Sequence, residues 1–340
     1  MHFIDLVKQQ NLIRDNLDKR ISKVLNHGQY ILGPEVYDLE EKLAAYVDIE
    51  FCLTCSSGTD ALLIPLMAKN IGVGDAVLTT PFSYIATAEV IKLVGATPVF
   101  LDVDPNTFNI NPNLIPGAVN EAIDKGLVPK AIIPVDLFGQ PANYNEIEKY
   151  AKNFDLFLLE DAAQGFGGKI NDKKACAFGD AASTSFFPAK PLGCYGDGGA
   201  IFTSDPDLYK VMKSIRVHGE GGDKYDNIRL GLNGRLDTMQ AAILLEKLLL
   251  FTDEIDKRNL VASYYSLNIS DSFKKPYVLD HFLSSWAQYS LMCKTNNDRA
   301  RILNHLRNHN IPSMIYYRTP LHLQPVFASL GYGAGDFPVS

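Results

Sequence analysis

Lys190 is the residue of this 340-residue sequence whose surroundings most favour covalent chemistry. It follows an apolar run at 181–186 and precedes a glycine-rich stretch that ends at Gly199. Lysine shifts its pKa readily when it leaves water, and the neutral amine can then form a Schiff base with a carbonyl compound. The alternative interpretation is an exposed loop lysine without a chemical function.

Glu160 and Asp161 follow a second apolar run, at 156–159. A carboxylate at the end of a buried strand is costly unless it has a partner, and a protonated pyridine nitrogen is one such partner. The same two residues could instead cap the helix that follows. Both interpretations stay open when this segment is considered alone.

A phosphate could bind at the segment Ser56-Ser57-Gly58-Thr59-Asp60, which joins a predicted strand to a predicted helix. Small residues let backbone N–H groups approach an anion, and the N-terminus of a helix attracts negative charge. An ordinary helix cap would use the same residue types. The lysine of a Walker phosphate loop is missing, so an NTPase is not expected.

Two further segments carry residue types that suit a ligand. Tyr84 follows the next predicted strand, where an aromatic ring could stack on a flat heterocycle or pack into the core. The segment 231–235 precedes a long helix, and its Asn–Gly pair is typical of a turn. Taken together, the lysine, the acid, the anion site and the aromatic ring fit pyridoxal phosphate, which commonly uses such groups.

These candidate residues follow strands of a predicted α/β layer. Between about 50 and 205, short apolar runs alternate with amphipathic segments, which predicts a mostly parallel sheet between helices. Ligands of such sheets bind beyond the carboxyl ends of the strands. We predict strands over 51–54, 76–79, 97–101, 131–134, 156–159, 181–186 and 200–203, and helices over 7–25, 34–46, 59–69, 83–93, 112–123, 143–153 and 236–250, the last continuing toward 266.

The chain changes character after about residue 250. A strand-like stretch at 286–293 precedes a charged helix at 297–308 and a short strand at 313–316. This pattern predicts a smaller α+β domain. We therefore divide the chain into a large domain at 1–248, with an N-terminal helical segment, and a small C-terminal domain at 249–340.

The composition excludes several classes of function. The net charge of −7, without basic runs, argues against binding of nucleic acid. No apolar run is long enough to cross a membrane, and no signal-peptide pattern opens the chain, so we expect a cytoplasmic protein. The five widely spaced cysteines do not form a disulfide pattern, and Cys52 and Cys55 lack a second pair for zinc, so we expect no metal site.

The sequence resembles the pyridoxal-phosphate-dependent nucleotide-sugar aminotransferases of the DegT–StrS type. The resemblance covers almost the whole chain from Phe3, and the lysine segment at 185–199 is its most specific part. It implies a type I aminotransferase fold and a homodimer in which each active site is completed by the other subunit. The segments that carry it are 56–63, 81–90, 95–104, 131–140, 160–165, 184–203 and 231–244.

The resemblance also implies roles for individual residues. Lys190 would form the Schiff base and later transfer protons, and Asp161 would pair with the pyridinium nitrogen. Gln164 would approach the ring 3-oxygen, and Tyr84 would stack on the ring. The phosphate would be held by Gly58, Thr59, Ser185 and, from the partner subunit, Asn233; substrate contacts would come from Gln29, Tyr30, Arg235, Tyr316 and Tyr317, of which Arg235 and the two tyrosines would act from the partner side.

Within the family, the segments 27–35 and 186–196 are most similar to enzymes that aminate C3 of a UDP-linked 3-keto N-acetylglucosaminuronate. This similarity implies glutamate as amino donor and a role in bacterial O-antigen synthesis. A 4-keto-6-deoxy sugar would suit much of the same pocket. A sugar dehydratase of this fold would carry histidine in place of Lys190. The family normally continues through a further strand and helix after the position of Ser340, so we expect a truncated small domain, and an inactive remnant of the fold is a further alternative to the aminotransferase.

Overall fold

The computed structural model describes residues 4–223 and 225–340. Phe3, where the family resemblance begins, lies outside the described residues. Within them, seven strands form one sheet in the order β1-β9-β8-β5-β4-β2-β3. These strands are β1 (Phe51–Cys55), β2 (Asp75–Thr79), β3 (Thr97–Phe100), β4 (Val128–Ile133), β5 (Phe157–Asp161), β8 (Ala181–Ser185) and β9 (Gly199–Thr203). The predicted strands between 50 and 205 are thereby confirmed, with ends shifted by up to three residues.

Strand β9 is the antiparallel member of this sheet. It pairs with β1 on one side and with β8 on the other, and both pairings are antiparallel. The strands β8, β5, β4, β2 and β3 pair with one another in parallel. The start of β9 therefore lies at the same edge of the sheet as the carboxyl ends of the other strands, and Gly199 pairs there with both Cys55 and Ser185.

Helices cover both faces of the sheet, because side chains along each buried strand alternate between two apolar clusters. Cys52 and Phe202 belong to one cluster, whereas Leu53 and Ile201 belong to the other. Helices α2 and α8 pack in the first cluster, and α3 and α7 pack in the second. The helices are α1 (Leu6–His27), α2 (Pro34–Val47), α3 (Gly58–Ala68), α4 (Ala86–Leu93), α5 (Ile115–Asp124), α6 (Tyr144–Asn153), α7 (Pro206–Ile215), α8 (Thr238–Asn268) and α9 (Asn296–Asn308).

The helix ends follow from local chemistry. Helix α1 begins after Asp5, whose side chain accepts a hydrogen bond from the Lys8 backbone N–H at 3.0 Å. Helix α2 begins at Pro34, which suits the first helical position because its missing N–H would have no partner there. None of the described helices combines the length and the apolar composition needed to cross a membrane.

The two strands predicted after residue 285 are wrong. In the stretch 286–293 the described backbone forms a single bridge, in which Lys274 and Met292 exchange hydrogen bonds of 3.1 and 3.0 Å. The stretch 313–316 has no regular secondary structure. An extended segment becomes a strand only when a neighbouring segment pairs with it along several residues, and apolar patterning alone does not supply that neighbour.

The C-terminal region instead contributes one short strand and one long helix. Strand β10 (Phe282–Leu283) pairs with β6 (Lys169–Ile170), which pairs with β7 (Lys173–Lys174). Helix α9 lies within one residue of its predicted bounds. Helix α8 passes through residue 248 without a break, and the division into domains 1–248 and 249–340 stays a prediction.

Candidate active site

The carboxyl edge of the sheet brings together most of the candidate cofactor residues. Asp161 ends β5 and Ser185 ends β8, while Gly58 begins α3 directly after β1. Lys190 lies in the loop that leaves β8 and returns as β9. The strand order places β1, β9, β8 and β5 side by side, so these residues occupy one continuous edge.

Asp161 is a buried carboxylate with fixed partners. Its Oδ2 accepts a hydrogen bond of 2.8 Å from the Thr87 hydroxyl, and its Oδ1 accepts one of 3.1 Å from the Ala163 backbone N–H. Burial raises the pKa of Asp161, whereas these two hydrogen bonds and the charge of Lys190 act in the opposite direction. The carboxylate is thus held in one orientation, within electrostatic reach of one lysine.

Lys190 lies close enough to Asp161 for the two charges to interact. Its backbone N–H donates to the Phe187 carbonyl at 2.8 Å, which fixes the turn that carries it. Burial lowers the pKa of Lys190, and the Asp161 carboxylate opposes that change. No hydrogen bond or ion pair occupies the Lys190 ammonium group among the described residues, so its nitrogen is free to react.

Gly58, Thr59 and Ser185 form a small-residue cup at the same sheet edge as Lys190 and Asp161. A Cβ atom at position 58 would lie 2.6 Å from the Ser185 Cβ and 2.9 Å from the Ser185 hydroxyl oxygen, so only glycine fits against Ser185. Ser57 caps α3 by accepting a hydrogen bond of 3.1 Å from the Asp60 N–H. The cap leaves the helix N-terminus at Gly58 and Thr59 facing the Ser185 hydroxyl, which is a favourable place for an anion.

Gln164 joins the sheet edge to the C-terminal region. Its Oε1 accepts a hydrogen bond of 2.6 Å from the Phe138 N–H, and its Nε2 donates to the Tyr317 hydroxyl at 3.3 Å. Burial raises the pKa of Tyr317 to about 12, so this hydroxyl stays protonated at neutral pH. Tyr317 therefore contacts Gln164 of its own chain, and Tyr316 stacks edge-on against both Tyr317 and Phe138.

Tyr84 and Phe82 differ in how they are held. Tyr84 is 61% exposed, so its ring remains available to a ligand. Phe82 packs edge-on against Tyr317, with ring centres 5.5 Å apart. Phe82, Tyr316 and Tyr317 line a cavity of about 780 Å³, and neither Lys190 nor Asp161 is among the described residues that line it.

The other predicted site residues lie apart from Lys190. Arg235 donates to the Asn233 side chain, and the carbonyl of Gly234 between them accepts a hydrogen bond of 3.0 Å from the Ser56 N–H, next to the small-residue cup. Gln29 and Tyr30 are exposed near the start of α8, where the Tyr30 carbonyl accepts from Thr238 N–H at 2.9 Å. Within the described chain, no hydrogen bond links these four side chains to Lys190, Asp161 or Gln164.

Sequence reasoning missed two buried residues of this site. Thr87, in the first turn of α4, orients Asp161, and its hydroxyl also lies 3.0 Å from the Ser83 hydroxyl. The signal that could have found it is a pair of hydroxyl residues four positions apart after a predicted strand, Ser83 in the turn before α4 and Thr87 in its first turn. Asp136 follows β4 and lies beneath the turn that carries Asp161 and Gln164; as a single acid before a glycine turn, it gave no comparable signal.

Comparison with known proteins identifies the family. A family model described as the DegT/DnrJ/EryC1/StrS aminotransferase family matches residues 11–340. The chain belongs to this aminotransferase family. It is therefore an enzyme that transfers amino groups, and its sheet and helices have the architecture of solved members of the family.

Three relatives show how far the similarity extends. This aminotransferase is 44% identical, over 329 residues, to the UDP-2-acetamido-2-deoxy-3-oxo-D-glucuronate aminotransferase of Pseudomonas aeruginosa, covering 96% of this chain and 89% of that protein. A family member from Brucella abortus superimposes with a TM-score of 0.96 at 48% identity, covering 100% of this chain and 90% of the other. NtdA of Bacillus subtilis, solved with bound cofactor PMP, gives a TM-score of 0.83 at 27% identity and covers 95% and 74% of the two chains.

The residues of this aminotransferase fit pyridoxal phosphate, its cofactor. Glycine at position 58 lets the backbone at the start of α3 lie against Ser185, so backbone N–H groups and the Ser185 hydroxyl can both donate to a phosphate group. The Lys190 amine has no partner among the described groups, and its lowered pKa favours the neutral form that reacts with an aldehyde. Asp161 supplies a buried carboxylate with which a cationic ring nitrogen can pair.

Proposed function

We propose that this enzyme moves an amino group from glutamate to C3 of a UDP-linked 3-keto N-acetylglucosaminuronate, in bacterial O-antigen synthesis. The observation that carries the transfer chemistry is that the amine of Lys190, which no described group hydrogen-bonds, interacts electrostatically with the buried carboxylate of Asp161 at the sheet edge. The sugar class rests on similarity to the Pseudomonas aeruginosa enzyme, whose name states that substrate.

Each cofactor group has residues of this chain to hold it. Gly58, Thr59 and Ser185 bind the phosphate, and Asn233 of the partner subunit completes that site. Asp161 holds the ring nitrogen in its protonated form, and Tyr84 covers the ring. Gln164, already fixed by Phe138 and Tyr317, approaches the ring 3-oxygen. When bound, pyridoxal phosphate supplies the electron sink that stabilises the carbanion formed from the amino donor.

Lys190 is the proton carrier of the reaction. In its neutral form, the Lys190 Nζ would accept the α-proton of the amino donor and would later give that proton up again, so this residue would serve first as base and then as acid. A base works best when its pKa is close to the working pH, and burial lowers the pKa of Lys190 toward that range. With the keto-sugar, the same nitrogen carries the proton in the opposite direction.

The sugar nucleotide binds between two copies of the chain. Gln29, Tyr30, Tyr316 and Tyr317 contact it from one subunit, because Tyr317 already lies against Gln164 of its own chain, while Arg235 contributes from the partner side. The Arg235 guanidinium suits a uronate carboxylate or a nucleotide phosphate, since it binds either in a bidentate manner. We place the enzyme in the cytoplasm as a homodimer, with a large domain at 1–248 and a small domain at 249–340.

Absorption spectroscopy with Lys190→Ala tests the proposed chemistry. Purified wild-type protein with pyridoxal phosphate should show a visible absorption band that fades on addition of glutamate. Lys190→Ala should still bind the cofactor but lose at least about a thousandfold in turnover, because no other amine replaces the proton carrier. The exposed-lysine variant Lys173→Ala should behave as wild type.

Three outcomes would count against the proposal. Near-normal turnover of Lys190→Ala would remove the assigned base. A cofactor band that ignores glutamate would point to another donor or another reaction of the same cofactor. Faster amination of a 4-keto-6-deoxy sugar nucleotide than of the 3-keto uronate would change the assigned substrate.

A further inference from the structure

Asp136 and Glu160 form a buried pair of carboxyl groups beneath the site. Both residues are fully buried, and their side chains lie within hydrogen-bonding distance of each other. The Asp136 Oδ1 accepts hydrogen bonds from the Ala142 N–H at 3.0 Å and the Tyr144 hydroxyl at 2.9 Å. The Asp136 Oδ2 is buried and receives no hydrogen bond from any other described group.

Glu160 is equally well held. Its two oxygens accept hydrogen bonds from the backbone N–H groups of Cys176, at 2.8 Å, and Phe178, at 2.9 Å. Among the described residues, no lysine, arginine or histidine forms an ion pair with Asp136 or Glu160. Two ionised carboxylates in contact, away from water and without a cation, would be strongly unfavourable, so the pair needs a proton.

This pair is connected directly to Asp161. The Asp136 N–H donates to the Asp161 carbonyl at 3.0 Å, and the Asp161 N–H donates to the Pro134 carbonyl at 2.9 Å. The turn that follows Asp161 also packs on Asp136, because a Cβ atom at Gly165 would lie 2.5 Å from the Asp136 Cβ. Asp136 thus supports both the strand end that carries Asp161 and the turn that carries Gln164.

We propose that Asp136 and Glu160 share a single proton, and that this acid pair is a positioning element that keeps Asp161 in place while Asp161 stays ionised. Of the three neighbouring buried carboxyl groups, the pair takes the proton, because its members face each other. Asp161 keeps its charge, because it has two hydrogen-bond donors and Lys190 nearby. The purpose of that charge, holding a cationic cofactor nitrogen, rests on the function proposed above.

Burial and the neighbouring charge of Asp161 favour the protonated form of the pair, whereas the hydrogen-bond donors around it favour the ionised form. Burial raises the pKa of Asp136 to about 7 and the pKa of Glu160 well above its ordinary value. Asp161 adds a repelling charge from the same strand end. Tyr144 and Cys176 are neighbours whose own pKa values are raised first by burial and then by the charges of the pair. The Tyr144 hydroxyl and the Ala142 N–H act in the opposite sense by stabilising the ionised Asp136.

The sign of the pH effect follows from the raised pKa of Asp136. Because the folded chain holds the proton of the pair more tightly than the unfolded chain, the stabilisation is complete below the ordinary carboxyl pKa of about 4 and is lost as the pH rises through the raised pKa values of the pair. Asp136→Asn should remove this loss, since the amide donates to Glu160 without titrating. We therefore compare the melting temperatures of Asp136→Asn and wild type at two pH values. The variant's melting temperature minus that of wild type should be about 5 °C higher at about pH 8.5 than at about pH 5.5.

Infrared spectroscopy of the full chain tests the shared proton directly, with or without cofactor. The difference spectrum between about pH 5.5 and 8.5 should show the loss of a protonated carboxyl C=O band in wild type. The band should be absent from Asp136→Asn. It should persist in the control Asp180→Asn, because exposed Asp180 also accepts a backbone hydrogen bond, from Leu158 N–H at 2.8 Å, but faces no second carboxyl group.

Cofactor binding tests the positioning role. Asp136→Leu cannot accept from Ala142 or Tyr144 and should lose about tenfold or more in affinity for pyridoxal phosphate, whereas the amide of Asp136→Asn should restore most of that loss. Wild-type affinity in Asp136→Leu would overturn the positioning role, and an infrared band unchanged in Asp136→Asn would overturn the shared proton. A chain that passes both tests but transfers no amino group would contradict only the proposed function.

Discussion

Helices α2 and α9 have nearly the same length but are held in place by different means. Seven of the 14 residues of α2 are buried, and two of them, Glu35 and Glu40, are acidic. None of the 13 residues of α9, all described by the structure, is buried. Helix α9 relies on contacts within itself, such as the cap in which the Thr295 hydroxyl accepts from the Asp298 N–H at 3.1 Å.

The same difference in burial distinguishes the two regions of the chain that supply residues to the candidate site. The residues proposed to hold the cofactor lie at the edge of the sheet, whose strands and covering helices are fixed by buried contacts. Tyr316 and Tyr317 follow α9 and reach the sheet through a few specific contacts, such as the hydrogen bond from Gln164 to Tyr317. We therefore expect substitutions around α2 to change global stability, and substitutions in α9 to act locally.

The largest effect is expected from the buried ion pair of α2. Arg216 is 1% exposed and donates to Glu40 at 2.6 Å and to the Thr54 carbonyl at 2.9 Å. Arg216→Ala should lower the free energy of unfolding by about 3–5 kcal/mol, since it leaves Glu40 buried and unpaired. The exposed pair of Arg301 with Asp298 on α9 is the control, and Arg301→Ala should cost no more than about 1 kcal/mol. Similar losses from both in denaturant titrations would contradict the comparison.

A second pair of substitutions compares apolar packing. Leu39 of α2 is fully buried, and Leu39→Ala should cost about 2–5 kcal/mol because it opens a cavity in a close-packed cluster. Leu303 of α9 is only half-buried, and Leu303→Ala should cost less than about 1 kcal/mol. Calorimetric melting of both variants measures the difference. An equal loss would mean that α9 is packed into the same cooperative unit as α2.

The smallest effect is expected from the cap of α9. Thr295→Ala removes the hydroxyl that accepts from Asp298 N–H and should weaken the helix by about 1 kcal/mol. Amide exchange within 296–308 should accelerate by about fivefold, while exchange in the sheet should not change. Faster exchange throughout the chain would show that the helix and the sheet open together.

The sheet was predictable because each of its strands carries its own apolar signal between turn residues. The same rule located Lys190, Asp161 and Gly58 at one edge, since parallel strands end together. The predictions of strands at 286–293 and 313–316 were wrong because they rested on the apolar pattern within each segment. A strand also needs a neighbouring segment with which its backbone can pair. Asp136 was missed for a related reason: its importance comes from Glu160, 24 positions away in sequence, and no local pattern connects them.

The reversed direction of β9 has a consequence for the order of folding. Strands β8 and β9 are separated by one loop and can pair early, but β1 lies at 51–55 and must find β9 at 199–203 across most of the large sheet. Such a distant contact closes slowly, because the entropy of a long loop is lost before the contact forms. Gly58 meets Ser185 only after that closure, so a refolding chain acquires its cofactor site at the end. Because the cofactor binds only chains in which β1 has paired with β9, its binding shifts the folding equilibrium toward the complete sheet by mass action. It does not accelerate the earlier folding steps.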